Sequence, residues 1–292
     1  MTETRLAFEG ETERQKELWR LCFGDEQSYI DHYYGSLYQP QQTALLLEDG
    51  VIASMLTMLP VSLALPEGGS LEAAMIYAVA THPDHQGHGY GSRLMQFAHT
   101  HLAGQGKALS VLVPASRSLF DFYGNRGYFP AFSLREASLT YGEAVAGPSA
   151  PADIAPISPE EYKRRRQSLL ARRLHIDYDQ RGFAYQRSLC EATGADLYAI
   201  DMAQAEGCAV VERLSPQRLL VKELLLPPNL VAKGVAALAK QLPAQQYILR
   251  TPGWLGQQLG GSVRPFAMAR WYDKSHDGLF EGPNGYLALA YD

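Results

Sequence analysis

The spacing of apolar residues in the first half of the chain predicts short helices followed by a run of strands. Spacings of three and four indicate amphipathic helices, and unbroken apolar runs indicate buried strands. The predicted helices are residues 12–23 and 25–37, one that contains Leu94, Phe97, Ala98 and Leu102, and one that ends near Tyr123. The predicted strands are residues 42–48, 51–65, 71–81, 108–113 and 128–141, with Asp49-Gly50 as a hairpin turn.

The second half of the chain partly repeats this order of elements. Its predicted helices are residues 159–173, 180–193 and 228–241, and its predicted strands are residues 195–201, 206–214, 217–226, 245–250, 263–273 and 286–291. Residues 142–158 are rich in Ala, Pro and Gly, which is typical of a linker. We therefore expect two domains, residues 1–141 and 159–292, and a length of 292 residues agrees with two.

Composition excludes several classes of protein. The net charge of −5 gives no overall attraction to nucleic acid or to anionic membranes. The most apolar stretch, residues 51–65, is too short and too interrupted to span a membrane, and the polar N-terminus resembles no signal segment. Three widely spaced cysteines form no metal-ligand pattern, so we expect a cytoplasmic protein without a metal site.

A glycine-rich segment between a predicted strand and a predicted helix is the strongest chemical signal. Residues 81–91 read Thr-His-Pro-Asp-His-Gln-Gly-His-Gly-Tyr-Gly. The first amides of a helix have no partner inside it, so such a turn can hold an anion. The segment lacks the Gly-Lys-Ser/Thr of a Walker loop. It also has Ser92 where a dinucleotide fingerprint has its third glycine, and no acidic residue at the expected distance.

Two motifs resemble the GNAT acetyltransferase superfamily. Gln86, Gly89 and Gly91 fit the Gln/Arg-x-x-Gly-x-Gly/Ala pattern of its acetyl-CoA pyrophosphate loop. The segment Phe122-Tyr123-Gly124-Asn125-Arg126-Gly127-Tyr128 is similar to its Phe-Tyr-x-x-x-Gly-Phe/Tyr signature, at the expected distance. The resemblance covers residues 1–141. It implies an α/β (α+β) fold, the GNAT fold, in which helices flank a mixed, mostly antiparallel sheet.

The resemblance implies acetyl-CoA as the co-substrate and a set of residues that bind it. The pyrophosphate would lie on the amides of residues 87–92, and the pantetheine arm would pair with the backbone of residues 79–81. Ser116 stands where many members have an Asn that contacts the arm, and Ser116 also suits a helix cap. The implied binding residues are Val79, Ala80, Thr81, Gln86, Gly87, His88, Gly89, Tyr90, Gly91, Ser92 and Ser116. Tyr123 matches the tyrosine that donates a proton to the thiolate.

The second half resembles a degenerate copy of the same fold. Its predicted strand 217–226 leads into Pro227-Pro228-Asn229 and not into a glycine loop, so we expect no CoA site there. The alternative is an unrelated α/β domain. The tandem order and the segment Pro265-Phe266-Ala267-Met268-Ala269-Arg270 resemble Eis-type acetyltransferases. Those proteins carry a further sterol-carrier-like domain, for which 292 residues leave no room, so we do not transfer aminoglycoside specificity.

The sequence leaves the general base and the acceptor open. Candidates for the base are Glu72, His82, Asp31 and the C-terminal carboxylate of Asp292, and water could equally accept the proton. Tyr29, Asp31, His32, Tyr33 and Tyr34 would suit an ammonium-bearing acceptor, but the aromatic residues could equally be helix core.

The predicted function is transfer of an acetyl group from acetyl-CoA to a primary amine of a small molecule or peptide. Transfer would be direct, in a ternary complex, with no nucleic-acid or membrane partner, and the sequence is compatible with a homo-oligomer. One alternative is a non-catalytic acyl-CoA sensor on the same scaffold. Another is an aminoacyl transferase of the peptidoglycan-bridge type, which the intact loop disfavours.

Overall fold

The computed structural model describes residues 1–292 except 149, 204, 277 and 292. The chain divides into two compact units. The first unit consists of Met1–Leu63, Ser70–Phe129 and Met268–Leu279, and the second of Ala64–Gly69, Pro130–Ala267 and Phe280–Asp292.

Helices and strands alternate along both halves of the chain. The helices are α1 Thr12–Phe23, α2 Gln27–Ser36, α3 Tyr90–Gly104, α4 Arg117–Gly124, α5 Tyr141–Ala146, α6 Pro159–Leu169, α7 Gln180–Ala192 and α8 Val231–Gln241. The strands are β1 Thr2–Leu6, β2 Thr43–Glu48, β3 Val51–Ala64, β4 Ser70–Thr81, β5 Leu109–Leu112, β6 Phe129–Thr140, β7 Ala152–Pro156, β8 His175–Tyr178, β9 Leu197–Met202, β10 Ala205–Ser215, β11 Arg218–Leu225, β12 Gln246–Pro252 and β13 Ser262–Trp271.

The sheet of the first unit runs in the order β1-β2-β3-β4-β5 and ends with the last residues of β13. The pairs β1–β2 and β2–β3 are antiparallel. The parallel pairing of β4 with β5 covers only Ala73–Met75 opposite Leu109–Val111, although β4 continues to Thr81. The last part of β4 therefore leaves β5, which opens a gap in the sheet.

Helix α3 closes one side of this sheet. Its apolar residues Leu94, Ala98 and Leu102 are at most 2% exposed and belong to one apolar cluster with Ala74 and Ile76 of β4. The spacing of three and four in this helix explains why it buries one face and leaves the other to solvent.

The second unit repeats the strand–helix–strand arrangement. Its sheet runs β6-β12-β11-β10-β9-β7, and β11 pairs in parallel with β12 over Arg218–Val221 opposite Gln246–Leu249. Helix α8 connects these two strands, as α3 connects β4 and β5, and packs Val231, Val235 and Leu238 into the core. Leu226 lies between two glycines: a Cβ at Gly207 would be 2.4 Å from Leu226 Cδ2, and one at Gly234 would be 2.2 Å from Leu226 Cδ1.

The structure confirms the predicted α/β class and corrects several elements. The predicted linker 142–158 contains most of α5, which begins in a capping box of Thr140 and Glu143, and all of β7, which pairs with β9. The predicted strand 286–291 does not form, because only Tyr286 makes an isolated bridge, to His175. The pattern also missed β1 and β8. No helix in the described part of the chain is long and apolar enough to cross a membrane.

Candidate active site

The glycine-rich segment forms an exposed turn with free amides at the start of α3. Gly87 and Gly89 have φ angles of 82° and 76°, in the left-handed region that glycine tolerates best. Gly89 is the N-cap of α3 and offers no side chain to the helix amides. Arg93 N donates to Gly89 O at 3.1 Å, so the amides that precede Arg93 in α3 have no acceptor inside the helix. The turn therefore has the features of an anion site.

Side chains brace this turn against the end of β4. Gln86 Nε2 donates to Thr81 O at 3.2 Å, so its side chain holds the loop and does not extend outward. Cys22 Sγ donates to the same carbonyl at 3.3 Å. His85 Nδ1 lies 2.8 Å from the Glu48 carboxylate. The ring of the predicted loop residue Tyr90 belongs to the apolar cluster below, and its hydroxyl is hydrogen-bonded to the same Glu48 carboxylate.

The open end of β4 contains a backbone irregularity that sequence analysis did not predict. Ala78 has a φ of 49°, which is uncommon for a residue with a Cβ atom. Beyond it, Ser54 Oγ donates to Ala80 O at 2.7 Å and lies 2.9 Å from Thr81 Oγ1. These bonds fix the Ala80–Thr81 end of the strand. An alanine gives no sequence signal for such a break, because residues with a Cβ atom rarely adopt a positive φ.

Tyr123 lies in the same apolar cluster as the β4 side chains. It is 8% exposed, and its ring contacts those of Phe122 and Tyr128 at centroid distances of 5.1 and 5.9 Å. Burial raises the pKa of Tyr123 to about 12. The hydroxyl has no hydrogen-bond partner among the residues that the structure describes. A neutral phenol with a free hydroxyl can donate a proton to a group placed beside it.

Arg126 joins the two motifs and was missed by the sequence analysis. Its Nη1 donates to Phe122 O at 2.6 Å, its Nη2 donates to Ser92 Oγ, and its guanidinium stacks on the Phe122 ring at 3.4 Å. Ser92 is one of the predicted loop residues, so Arg126 places a positive charge beside the start of α3. The only sequence signal was an arginine inside the Phe122–Tyr128 motif.

Three of the candidate bases already have polar partners, and the fourth lies outside the described residues. Glu72 pairs with Lys107 at 2.8 Å, and Asp31 pairs with Lys16 at 2.9 Å. His82 Nδ1 accepts from Asp84 N at 3.3 Å. The fourth candidate, Asp292, lies outside the residues that the structure describes. The sequence therefore did not identify a side chain that is free to act as the general base.

The aromatic residues of α2 divide between core and rim. Tyr33 is 1% exposed and packs on the buried Trp19, so it is core. Tyr29 is less buried, and its hydroxyl lies 3.2 Å from that of Tyr77 on β4.

Ser116 stands at the N-cap of α4 as predicted, but its hydroxyl contacts Ser118 Oγ at 2.9 Å and does not cap the helix. No cluster of His, Cys, Asp or Glu suited to a metal occurs among the described residues.

Solved structures with the same fold come from several organisms. A probable N-acyltransferase of unknown function from Enterococcus faecalis V583 is 19% identical, with a TM-score of 0.73 over 93% of this chain and 73% of that one. A GCN5-related N-acetyltransferase from Anabaena variabilis is 16% identical, with a TM-score of 0.71 over 94% and 73%. Eis1 from Mycobacterium abscessus is 15% identical, with a TM-score of 0.67 over 93% and 74%.

Sequence comparison finds a family model that matches part of the chain. No curated protein matches the chain. The family model described as an acetyltransferase (GNAT) domain matches residues 3–131, which include both motifs. Residues 3–131 are therefore similar to GNAT acetyltransferase domains.

Proposed function

We propose that the first unit transfers the acetyl group of acetyl-CoA to a primary amine of a small molecule or peptide, directly within a ternary complex. The observation that carries this proposal is the position of the free α3 amides next to the unpaired end of β4. An anion site and an open strand edge, one directly after the other in the chain, suit a pyrophosphate followed by an amide-containing arm.

The donor would use both features. Its pyrophosphate would lie on the amides of residues 87–92, and Arg126, through its contact with Ser92, would add a positive charge. Its arm would follow Val79, Ala80 and Thr81, with Ser116 on the opposite side. Because Thr81 O already accepts from Gln86 and Cys22, we expect the arm to rely on the backbone nearer Val79.

The chemistry needs an oxyanion donor and a proton for the leaving thiolate. The amine nitrogen attacks the thioester carbon, a C–N bond forms, and the C–S bond breaks. We assign the oxyanion donor to a backbone amide at Ala78, where the φ of 49° departs from regular strand geometry. Tyr123 would give its proton to the thiolate and regain one from solvent. We assign no side chain as base, so water accepts the proton of the amine.

A panel of amine acceptors with release of free CoA as the readout tests this proposal. Initial rates at varied acetyl-CoA and amine should give intersecting double-reciprocal lines, as direct transfer requires. Parallel lines would contradict the ternary complex. Binding of CoA with no turnover on any amine would favour the alternative of an acyl-CoA sensor.

A further inference from the structure

A cavity beside the candidate pyrophosphate site carries two arginines that have no counter-charge among the described residues. The cavity has a volume of about 720 Å³ and lies wholly within the first unit. Its walls include Ser92, Gln96 and His99 of α3, the turn of Arg126 and Gly127, and Arg270 of β13. None of the described residues that line it carries a carboxylate.

Both arginines are held in place by the backbone. Arg270 Nη1 donates to Arg126 O at 2.8 Å, and Arg126 donates to Phe122 O. Gly127 has a φ of 83°, and a Cβ at that position would be 3.6 Å from Arg270 Nε. The Arg270 side chain therefore lies at contact distance from this turn.

Many partly buried arginines of this protein face a carboxylate. Arg135 and Arg213 donate to backbone carbonyls, but Arg5, Arg165, Arg166, Arg187 and Arg250 form ion pairs with carboxylates. Arg126 and Arg270 form none with any residue that the structure describes. Burial also lowers the pKa of Arg126, because a charged group there loses hydration. Two neighbouring guanidinium groups without a carboxylate favour a doubly charged anion.

We propose that this cavity binds a phosphate monoester of the acyl donor, separate from its pyrophosphate, and so makes Arg126 and Arg270 determinants of donor specificity. The inference rests on the proposed function, because Arg126 contacts Ser92 of the candidate pyrophosphate loop. CoA carries such a monoester on its ribose, and dephospho-CoA and protein-bound phosphopantetheine lack it. The protein therefore selects CoA thioesters over both.

The test compares CoA with 3′-dephospho-CoA by calorimetric titration, and the two acetyl thioesters by turnover. Wild-type protein should bind CoA roughly 10- to 100-fold more tightly, the range for hydrogen bonds to a charged group. The preference should appear in KM and leave kcat unchanged, since the monoester is remote from the reacting carbon. Equal affinities for the two compounds would overturn the inference.

Variants of Arg270 test whether this residue causes the preference for CoA over 3′-dephospho-CoA. Arg270→Gln should weaken binding of CoA and leave binding of 3′-dephospho-CoA unchanged, so that the preference nearly disappears. Arg270→Lys should keep part of it, because the charge remains. Arg20→Gln removes an exposed charge of α1 and should change neither affinity. If Arg270→Gln retains the full preference, the assignment of this arginine is wrong.

Two further outcomes separate this inference from the proposed function. If CoA binds with the expected preference but no amine is acetylated, the proposed function fails and the cavity assignment stands. Inorganic phosphate is the probe for a separate ligand. Saturable phosphate binding that depends on Arg270 and persists with CoA bound would show that the cavity holds an independent anion, which would overturn the inference.

Discussion

The two tyrosines of the Phe122–Tyr128 motif differ in whether the hydroxyl has a hydrogen-bond partner. The ring of Tyr123 is buried among apolar neighbours, while its hydroxyl has no partner among the described residues. Tyr128 is the opposite case, because its buried hydroxyl lies 2.7 Å from Ser110 Oγ. The two tyrosines of one motif therefore suit different roles, Tyr123 in proton transfer and Tyr128 in packing.

Tyr123→Phe should reduce kcat by roughly 10²- to 10⁴-fold and leave the affinity for acetyl-CoA nearly unchanged, because it removes a proton donor and keeps the ring. Steady-state kinetics and calorimetric titration measure the two quantities. Tyr128→Phe is the control: it should cost about 1 kcal/mol in the free energy of unfolding without changing kcat. Full kcat in Tyr123→Phe, with chemistry rate-limiting, would make Tyr123 a packing residue.

Two buried histidines should make the free energy of unfolding depend on pH. Burial lowers the pKa of His99 to about 3 and that of His175 to about 4, with smaller effects from Arg270 and Arg166. Both bind a proton on unfolding below about pH 6.5. The free energy of unfolding should therefore fall as the pH decreases from about 6.5 towards 4, by up to about 1.4 kcal/mol per pH unit for each group.

Denaturant titrations between pH 7 and 4 measure this slope. His99→Gln and His175→Gln should each make it shallower, whatever they do to stability at pH 7. A slope that is unchanged in the double variant would assign the acid sensitivity to other groups.

At the scale of elements, the α3 turn depends on glycine for conformation and for space. Gly89→Glu should abolish CoA binding, because the side chain occupies the phosphate space and repels it. Gly89→Ala tests the backbone alone, since a left-handed residue with a Cβ costs about 1–2 kcal/mol.

Gly106→Glu is the matched control for Gly89→Glu. Gly106 has the same φ of 76° and the same open surroundings, but it lies at the other end of α3. Its substitution should lower stability to a similar extent and leave CoA affinity intact. Unchanged CoA affinity in a folded Gly89→Glu protein would show that the turn has no ligand role.

The packing of Leu226 gives a prediction for the second unit. Gly234→Ala should destabilise it by about 1–3 kcal/mol through overpacking, and Leu226→Ala by about 2–5 kcal/mol through a cavity. The double variant should cost less than the sum, because the new methyl group fills part of the space that leucine vacates. Denaturant unfolding measures all three, and additive costs would contradict the packing.

The elements that could be predicted are those whose apolar pattern is complete within the segment. Helices α1 and α8 and the strands β3 and β4 form close to their predicted bounds, and α3 contains the apolar residues predicted for it. The strand β7 lies in a segment rich in Ala and Pro, and its pairing with β9 depends on a distant part of the chain. The break at Ala78 and the contact of Arg126 with Ser92 likewise arise only from tertiary structure. The sequence thus predicted the glycine-rich loop but not the strand break and the arginine contact beside it.

At the scale of the whole chain, the two units share a strand–helix–strand arrangement but differ at the strand-to-helix turn. The first unit has the glycine turn, and the second has Pro227-Pro228-Asn229. We therefore expect one CoA per chain. Calorimetric titration should give a stoichiometry of one, and Gly89→Glu should reduce it to zero. A stoichiometry of two in the wild-type protein, with one site remaining in Gly89→Glu, would reveal a site in the second unit.

Leu226 and its two glycines also constrain how this sequence can change over time. Gly207 and Gly234 lie on different elements, and a methyl group at either position would force the Leu226 side chain to move. A substitution at any one of the three positions thus changes which substitutions are acceptable at the other two. Such epistasis predicts that homologues vary at these positions together, with small and large residues exchanged as a set.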